Sequence, residues 1–363
     1  MPQGAGASSF RAPEQVSPAA GWLAGAGRDG ARERAPGRAG ALPEGPAVTQ
    51  SQDQTARATM AAPREAAAAP VWLGFACGTG AALIWGIQAV VSRQSVADGL
   101  SAADVTVLRF LAAGLVLLPY ALTRLRPFPV GDLGWRRAII LTLLAGAPYS
   151  LVLVGGSTFA PALHTAVVTP GLIPVLAALL AFLVSGERPP VARLAGLGLI
   201  VIGIVVFSWQ AFGGGAARAG AWRGDLLFVL AAVMWAVFGL LAKRWQTDAL
   251  RLTVTICLLS LVSAPLLALV VPLHMAGAKF GALALQAIYQ GLLVGVVSLF
   301  LYAKANAVLG AARAALFLPL VPVVTATAGA LIIGEWPSLS EIAGMTIAMA
   351  GMTLALRAGE RRR

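Results

Sequence analysis

The sequence predicts an all-α membrane protein with ten transmembrane helices in two inverted five-helix repeats. Three observations carry this. Of 363 residues, 58% are hydrophobic and only 12% charged, whereas soluble domains are about 25% charged. The apolar residues fall into ten runs, each close to the roughly 20 residues a helix needs to cross a bilayer core of about 30 Å. The phrase SGERPPVARLAG, beginning at Ser185, returns as IGEWPSLSEIAG at Ile333, 148 residues on, each time directly after such a run.

Residues 1–70 are a different material, rich in Ala, Gly, Pro, Arg, Gln and Ser, with almost no bulky aliphatic residues. They cannot bury enough surface to offset their ordering entropy and read as a disordered tail. They also lack the apolar core of a signal peptide. Met60, just before the first run, is an alternative start. The runs read as helices because backbone groups in hydrocarbon must satisfy one another. They fall at about 72–91, 104–123, 138–157, 161–184, 191–209, 224–242, 250–271, 283–303, 308–333 and 339–357.

Loop charge orients them. Seventeen Lys and Arg lie on the side of the N-terminus, against Arg93, Arg218, Arg223 and Lys279 on the other. This positive-inside asymmetry places both termini in the cytoplasm. Trp72, Trp135, Trp209, Trp222, Trp245 and Trp336 stand at run ends, where an aromatic belt belongs.

Sliding one half over the other by 148 residues aligns Pro174 with Pro322, Gly186-Glu187 with Gly334-Glu335, Gly196 with Gly344 and Gly203 with Gly351. An offset of 150 lays Ile84–Gly86 on Met234–Ala236. Each half then has five helices, an odd number, so the halves face opposite ways, as in many secondary transporters. The domains are a first repeat at 72–209, a periplasmic connection at 210–223, a second repeat at 224–357 and a basic C-terminal tail at 358–363.

The stretches ALIWGIQAVVSR, LIPVLAALLAFLVSGERPPVARLAGLGLIVIGIVV and GAARAALFLPLVPVVTATAGALIIGEWPSLSEIAGMTIAMAGMTL resemble EamA domains of the drug/metabolite transporter superfamily. The resemblance implies a multi-pass transporter of the inner membrane, with a central cavity lined by both halves. Its implied substrates are amino acids, other small metabolites or toxic compounds, with export as the direction and alternating access as the mechanism.

The substrate site is expected where helices are interrupted at corresponding positions of the two halves. Pro170 and Pro174 in the fourth run, and Pro319 and Pro322 in the ninth, each remove a backbone donor and kink the helix. Polar and aromatic residues near them are candidate cavity residues: Trp85, Gln88, Tyr149, His164, Thr165, Thr169, Trp235 and Tyr289. Arg313, equivalent to Thr165, sits where a helix N-terminus and a guanidinium could hold a carboxylate. Arg109 reads as a snorkelling side chain. Asp104, Glu187, Asp225, Glu335 and Glu341 all stand at run ends. No mid-membrane carboxylate relay is therefore expected, and ion coupling would run through His164 or an end-of-helix glutamate.

Other classes fit poorly. The net charge of +12 sits in the tail and in short gaps, not on the stripe of a nucleic-acid binder. Cys77 and Cys257 lie inside apolar runs and read as buried hydrophobes. There is no phosphate-binding Gly-x4-Gly-Lys-Ser/Thr and no nucleophile elbow, so neither enzymatic activity, a cofactor nor a metal is expected. Gly74/Gly78, Gly291/Gly295, Gly196, Gly198 and Gly203 read as close helix contacts. The expected partners are a small-molecule substrate and the bilayer, with the chain a monomer or weak homodimer. A membrane-embedded lipid-handling or interaction protein without small-solute transport is the alternative.

Overall fold

The computed structural model describes residues 70–212, 220–267, 269 and 271–360. The disordered-tail reading of 1–70, apart from Pro70, and the alternative start at Met60 lie outside the described residues. So do residues 213–219 of the 210–223 connection and the arginines that close the chain.

Ten helices are long and apolar enough to cross a membrane: Val71–Ala97, Ala102–Arg124, Trp135–Phe159, Ala162–Ser185, Val191–Ala211, Trp222–Arg244, Ala249–Leu266, Phe280–Leu309, Arg313–Ile332 and Leu339–Ala358. They are numbered here as the first to tenth spans. The last helix continues to Glu360, past its expected end. We call the membrane side carrying the start of the first span the near end, and the other the far end.

Local chemistry sets the boundaries. Ser101 and Asp104 form a reciprocal capping box that starts the second span, satisfying amides that no preceding turn can serve. The repeated Gly-Glu phrase is a helix stop used twice. Gly186 has φ +66° and Gly334 φ +68°, a left-handed conformation that glycine adopts without steric cost.

The interruptions differ from expectation. The fourth span is one continuous helix through Pro170 and Pro174, whereas the ninth breaks into Ala311–Ala315 and Leu320–Ile332, with Pro319 capping the second piece. Two prolines four residues apart free acceptors on a single helix face, and the remaining bonds carry the fourth helix past them. The irregular pair at corresponding positions is the third and eighth spans. The third breaks at Gly146, between Trp135–Ala145 and Ala147–Phe159, and Ser260 Oγ accepts from the freed Ala147 amide at 3.1 Å. The eighth is π-helical over Ala287–Val297, a form that concentrates at functional sites.

Most strong packing joins spans of different repeats. The fourth packs on the sixth and the ninth on the first; the first packs on the eighth and the sixth on the third; the second packs on the eighth and the seventh on the third. The fifth and tenth pack on each other most extensively. Their seam is glycine-lined. A Cβ added to Gly196 would lie 2.6 Å from Ala355 N and 2.8 Å from Gly351 O, while one on Gly344 would meet Phe207 N and, at 2.5 Å, Gly203 O. These contacts are equivalent under the 148-residue offset, and they run 196 against 355 but 207 against 344, so the two helices are antiparallel. Gly74, Gly78, Gly291 and Gly295 also face close neighbours, but Gly198 has open space beside it. The seam uses the glycines seven residues apart on one face, and Gly198 falls on another.

Candidate functional site

At the far end, six spans converge on polar contacts. Arg93, near the end of the first span, donates from Nε to Glu335 Oε1 at 2.8 Å and from Nη1 to the Ser157 carbonyl at 2.8 Å. The other oxygen of Glu335 accepts from the Ala162 amide at 2.9 Å. A carboxylate there suits the positive end of the fourth helix. One arginine and one glutamate thus tie the ends of the first, third, fourth and ninth spans. Glu335 also lines a small surface pocket of about 10 Å³ with Pro161, Ala162, Thr325, Gly329 and Glu341.

Beside this latch, His164 lies between two carboxylates. Its Nδ1 is 2.7 Å from Asp225 Oδ1 and its Nε2 is 3.1 Å from Glu341 Oε1. The three side chains are at most 7% exposed. Glu341 serves twice, because its Oε2 accepts the Ser338 amide at 2.6 Å and caps the tenth span. The Phe207 ring covers the imidazole edge-on at 4.7 Å. Among the described residues no group of three such ligands is placed to hold a metal ion; the ring separates the two carboxylates.

The mid-membrane candidates form two separate aromatic groups. Trp85 stacks on Tyr302 at 5.1 Å and donates to Ser298 Oγ at 2.9 Å. Trp235, its repeat equivalent, stacks on Tyr149 at 5.1 Å and on Phe238 at 5.2 Å. Tyr289 donates to the Ile84 carbonyl at 3.1 Å. Thr165 faces Ser157 at 3.5 Å and Thr169 donates to the Phe228 carbonyl at 3.3 Å, so both hydroxyls brace neighbouring spans. Gln88 is half-buried. Arg313 is exposed at the near end, apart from the far-end cluster.

Sequence reasoning missed three groups. Gln286, just before the π-helical stretch, and Gln290, on it, are fully buried and donate to Val91 O at 3.0 Å and Ser92 Oγ at 2.8 Å. They hold the first span at that level. Arg109 does not snorkel: its Nε and Nη1 are buried without a hydrogen-bond partner, within electrostatic reach of Tyr149 and Cys257. The Arg93–Glu335 pair and the partners of His164 were visible only as charged residues at run ends. A topological signal existed, since positions 93, 164, 225, 335 and 341 all fall at the same end of their spans.

Comparison with known proteins agrees with this architecture. The family model described as EamA-like transporter family matches residues 72–209 and 222–357. Among curated proteins, none matches. Solved structures do, with 22 matching chains. One of these, a crystal structure, is 21% identical, covers 80% of this chain and 98% of its own, and superposes with a TM-score of 0.55. At that identity it speaks for the fold alone.

Proposed function

The chain belongs to the EamA-like transporter family, and from that membership we propose that it is a secondary transporter of the inner membrane. It exports a small metabolite, amino acid or toxic compound by alternating access, with both termini cytoplasmic and the far end periplasmic. We assign it no enzymatic activity and take the monomer or weak homodimer as the working unit.

The observation that carries this reading is the exchange symmetry of the packing. Each of the strong cross-repeat pairings named above recurs when every span is replaced by its counterpart, and the fifth and tenth spans meet through equivalent glycines in antiparallel register. That is the pattern expected of an inverted repeat, in which the two membrane faces are built from the same parts. A device that closes one face then has a counterpart able to close the other.

The far-end latch has such a counterpart. Glu187 is equivalent to Glu335, and Lys243 to Arg93 at the 150-residue offset. Both Glu187 and Lys243 are exposed, and neither side chain has a hydrogen bond or ion pair among the described residues. Among the described residues this pair of equivalent positions is joined at the far end only, the near end carrying instead an exposed Arg251–Asp132 pair at 2.9 Å. In the alternate state, Glu187 and Lys243 close the near end and cap the start of the ninth span, as Glu335 now caps the fourth. Because the strong contacts cross between repeats, the moving bodies are mixed groups. One contains the first, eighth and ninth spans, the other the third, fourth and sixth.

The test is efflux from proteoliposomes loaded with a mixed pool of labelled amino acids and metabolites, comparing the parent with Trp85→Ala. Selective release of one compound class, lost in Trp85→Ala, is expected. No selective release from folded protein would favour the lipid-handling or interaction reading instead.

A further inference from the structure

We propose that Arg109 is the residue that selects the substrate, and that it takes a compound carrying a single carboxylate. The word substrate rests on the transport reading above; the anion site rests on the surroundings of Arg109.

Arg109 lies seven residues into the second span, Ala102–Arg124, which is about 10 Å along the helix at 1.5 Å per residue. Its guanidinium stays charged at any physiological pH. Two of the nitrogens, Nε and Nη1, are buried and have no hydrogen-bond partner. The groups within electrostatic reach are Tyr149 of the third span and Cys257 of the seventh, a hydroxyl and a thiol that are uncharged at neutral pH. The Phe110 ring of its own helix stands at 5.6 Å. On the eighth span the neighbour is the backbone of the π-helical stretch, where a Cβ added to Gly291 would lie 2.9 Å from the Arg109 carbonyl oxygen. Among the described residues no carboxylate answers the charge. Asp104, on the same helix, accepts from Ser101 N and from the His274 amide instead. A buried charge is costly until something pairs with it, and ionisable groups inside spans mark the paths of substrates and ions.

Packing does not account for the charge. The second and seventh spans are counterparts and pack on each other, and Cys257 is the residue equivalent to Arg109 at the 148-residue offset. One half fills this position with a small uncharged side chain and the other with a guanidinium, so the architecture does not require the cation. The tie between the second and third spans is made one turn away, where Thr106 donates to Ser150 Oγ at 3.1 Å.

The chemistry of the ligand follows. A guanidinium presents its donors in a planar fork that meets a carboxylate through two parallel hydrogen bonds. One cation balances one negative charge, whereas a phosphate dianion would leave charge unpaired inside the span. Tyr149 is stacked on Trp235 at 5.1 Å, and the pair offers apolar surface beside the charge for the body of the compound.

The experiment compares full-length parent, Arg109→Gln and Arg109→Lys by thermal unfolding in detergent and by efflux. Without ligand, Arg109→Gln should unfold at or above the parental midpoint, because it removes an unpaired buried charge. A mixture of phenylacetate, hexanoate and phenylalanine should raise the parental midpoint by a few degrees, and the corresponding primary amides should not. Arg109→Gln should lose that shift and Arg109→Lys, which keeps the charge without the fork, should retain part of it. In proteoliposomes loaded with the labelled pool and the same amides, the released class should carry one carboxylate. Its release should fall about tenfold to a hundredfold in Arg109→Gln, the contribution of a charge-assisted hydrogen bond. A parent that responds alike to acids and amides, or an Arg109→Gln that keeps the response to acids, would overturn the anion site. So would an Arg109→Gln that unfolds well below the parent without ligand, since the guanidinium would then be a brace. Stabilisation by acids that is lost in Arg109→Gln, with no release of any compound, would overturn the transport reading and leave the anion site standing. Selective release of uncharged compounds would do the reverse.

Discussion

Replacing Glu335 by glutamine separates the charge of the far-end latch from its geometry. The glutamine carbonyl can still accept from Ala162 N, which now lies 2.9 Å from Glu335 Oε2, but its NH2 then faces Arg93 Nε, donor against donor. What is lost is the contact at 2.8 Å between side chains that are 30% and 19% exposed. A charge-assisted hydrogen bond contributes about 1.5–3 kcal/mol when protected, and an exposed ion pair about 0.2–1 kcal/mol. Partial exposure places this one at about 1–2 kcal/mol, a shift of roughly fivefold to thirtyfold toward the far-open state. Ala326→Cys, beside the pocket, in protein carrying Cys77→Ala and Cys257→Ala, should be labelled faster by that factor when an impermeant maleimide is applied from the far side. Arg93→Gln, which also loses the bond to the Ser157 carbonyl, should accelerate labelling at least as much, and the double variant should add little to Arg93→Gln alone, because the shared interaction is already gone. A Glu335→Gln rate within twofold of the parent would show that the ion pair does not hold the far end shut.

Further outcomes follow from the same contacts. At the glycine seam, Gly203→Leu drives a side chain into the Ala348 backbone, whose Cα lies 2.8 Å from an added Cβ. It should cost at least the roughly 1–3 kcal/mol of ordinary overpacking. Gly198→Ala, with nothing within 4 Å, should be neutral, and thermal unfolding in detergent compares the two. Cysteines in place of Glu187 and Lys243, joined by a short bifunctional reagent, should abolish efflux and raise far-side labelling of Ala326→Cys. Unchanged labelling after cross-linking would exclude the near-end counterpart of the latch.

The span count and the repeat were legible because both are linear properties: apolar runs of bilayer length, and phrases recurring at a fixed offset. The Gly-Glu phrase was readable for the same reason, since a left-handed helix stop is a local requirement. The far-end cluster was not. His164 finds Asp225 at 61 residues' separation and Glu341 at 177, distances at which no spacing rule operates, and an isolated histidine in the sequence is a shared one in the fold. Proline misled in the fourth span because its local cost is real yet can be absorbed by a long helix. The break in the third span fell at Gly146, where Ser260 from another span supplies the missing acceptor. The position of Arg109 near a helix end predicts snorkelling but says nothing of which face meets neighbours, and that face is buried.

The crossing of the fifth and tenth spans also has a mechanical meaning. An operation that swaps the two repeats must map Gly196 onto Gly344 and Gly203 onto Gly351, so its axis passes through that seam. Points on an axis do not travel when the rest exchanges places. Under the alternating access proposed above, backbones this close at the seam make it the fulcrum of the motion. The Arg93–Glu335 pair then sits on the arm of the lever, where a small rotation at the glycines is read as a parting of the far end.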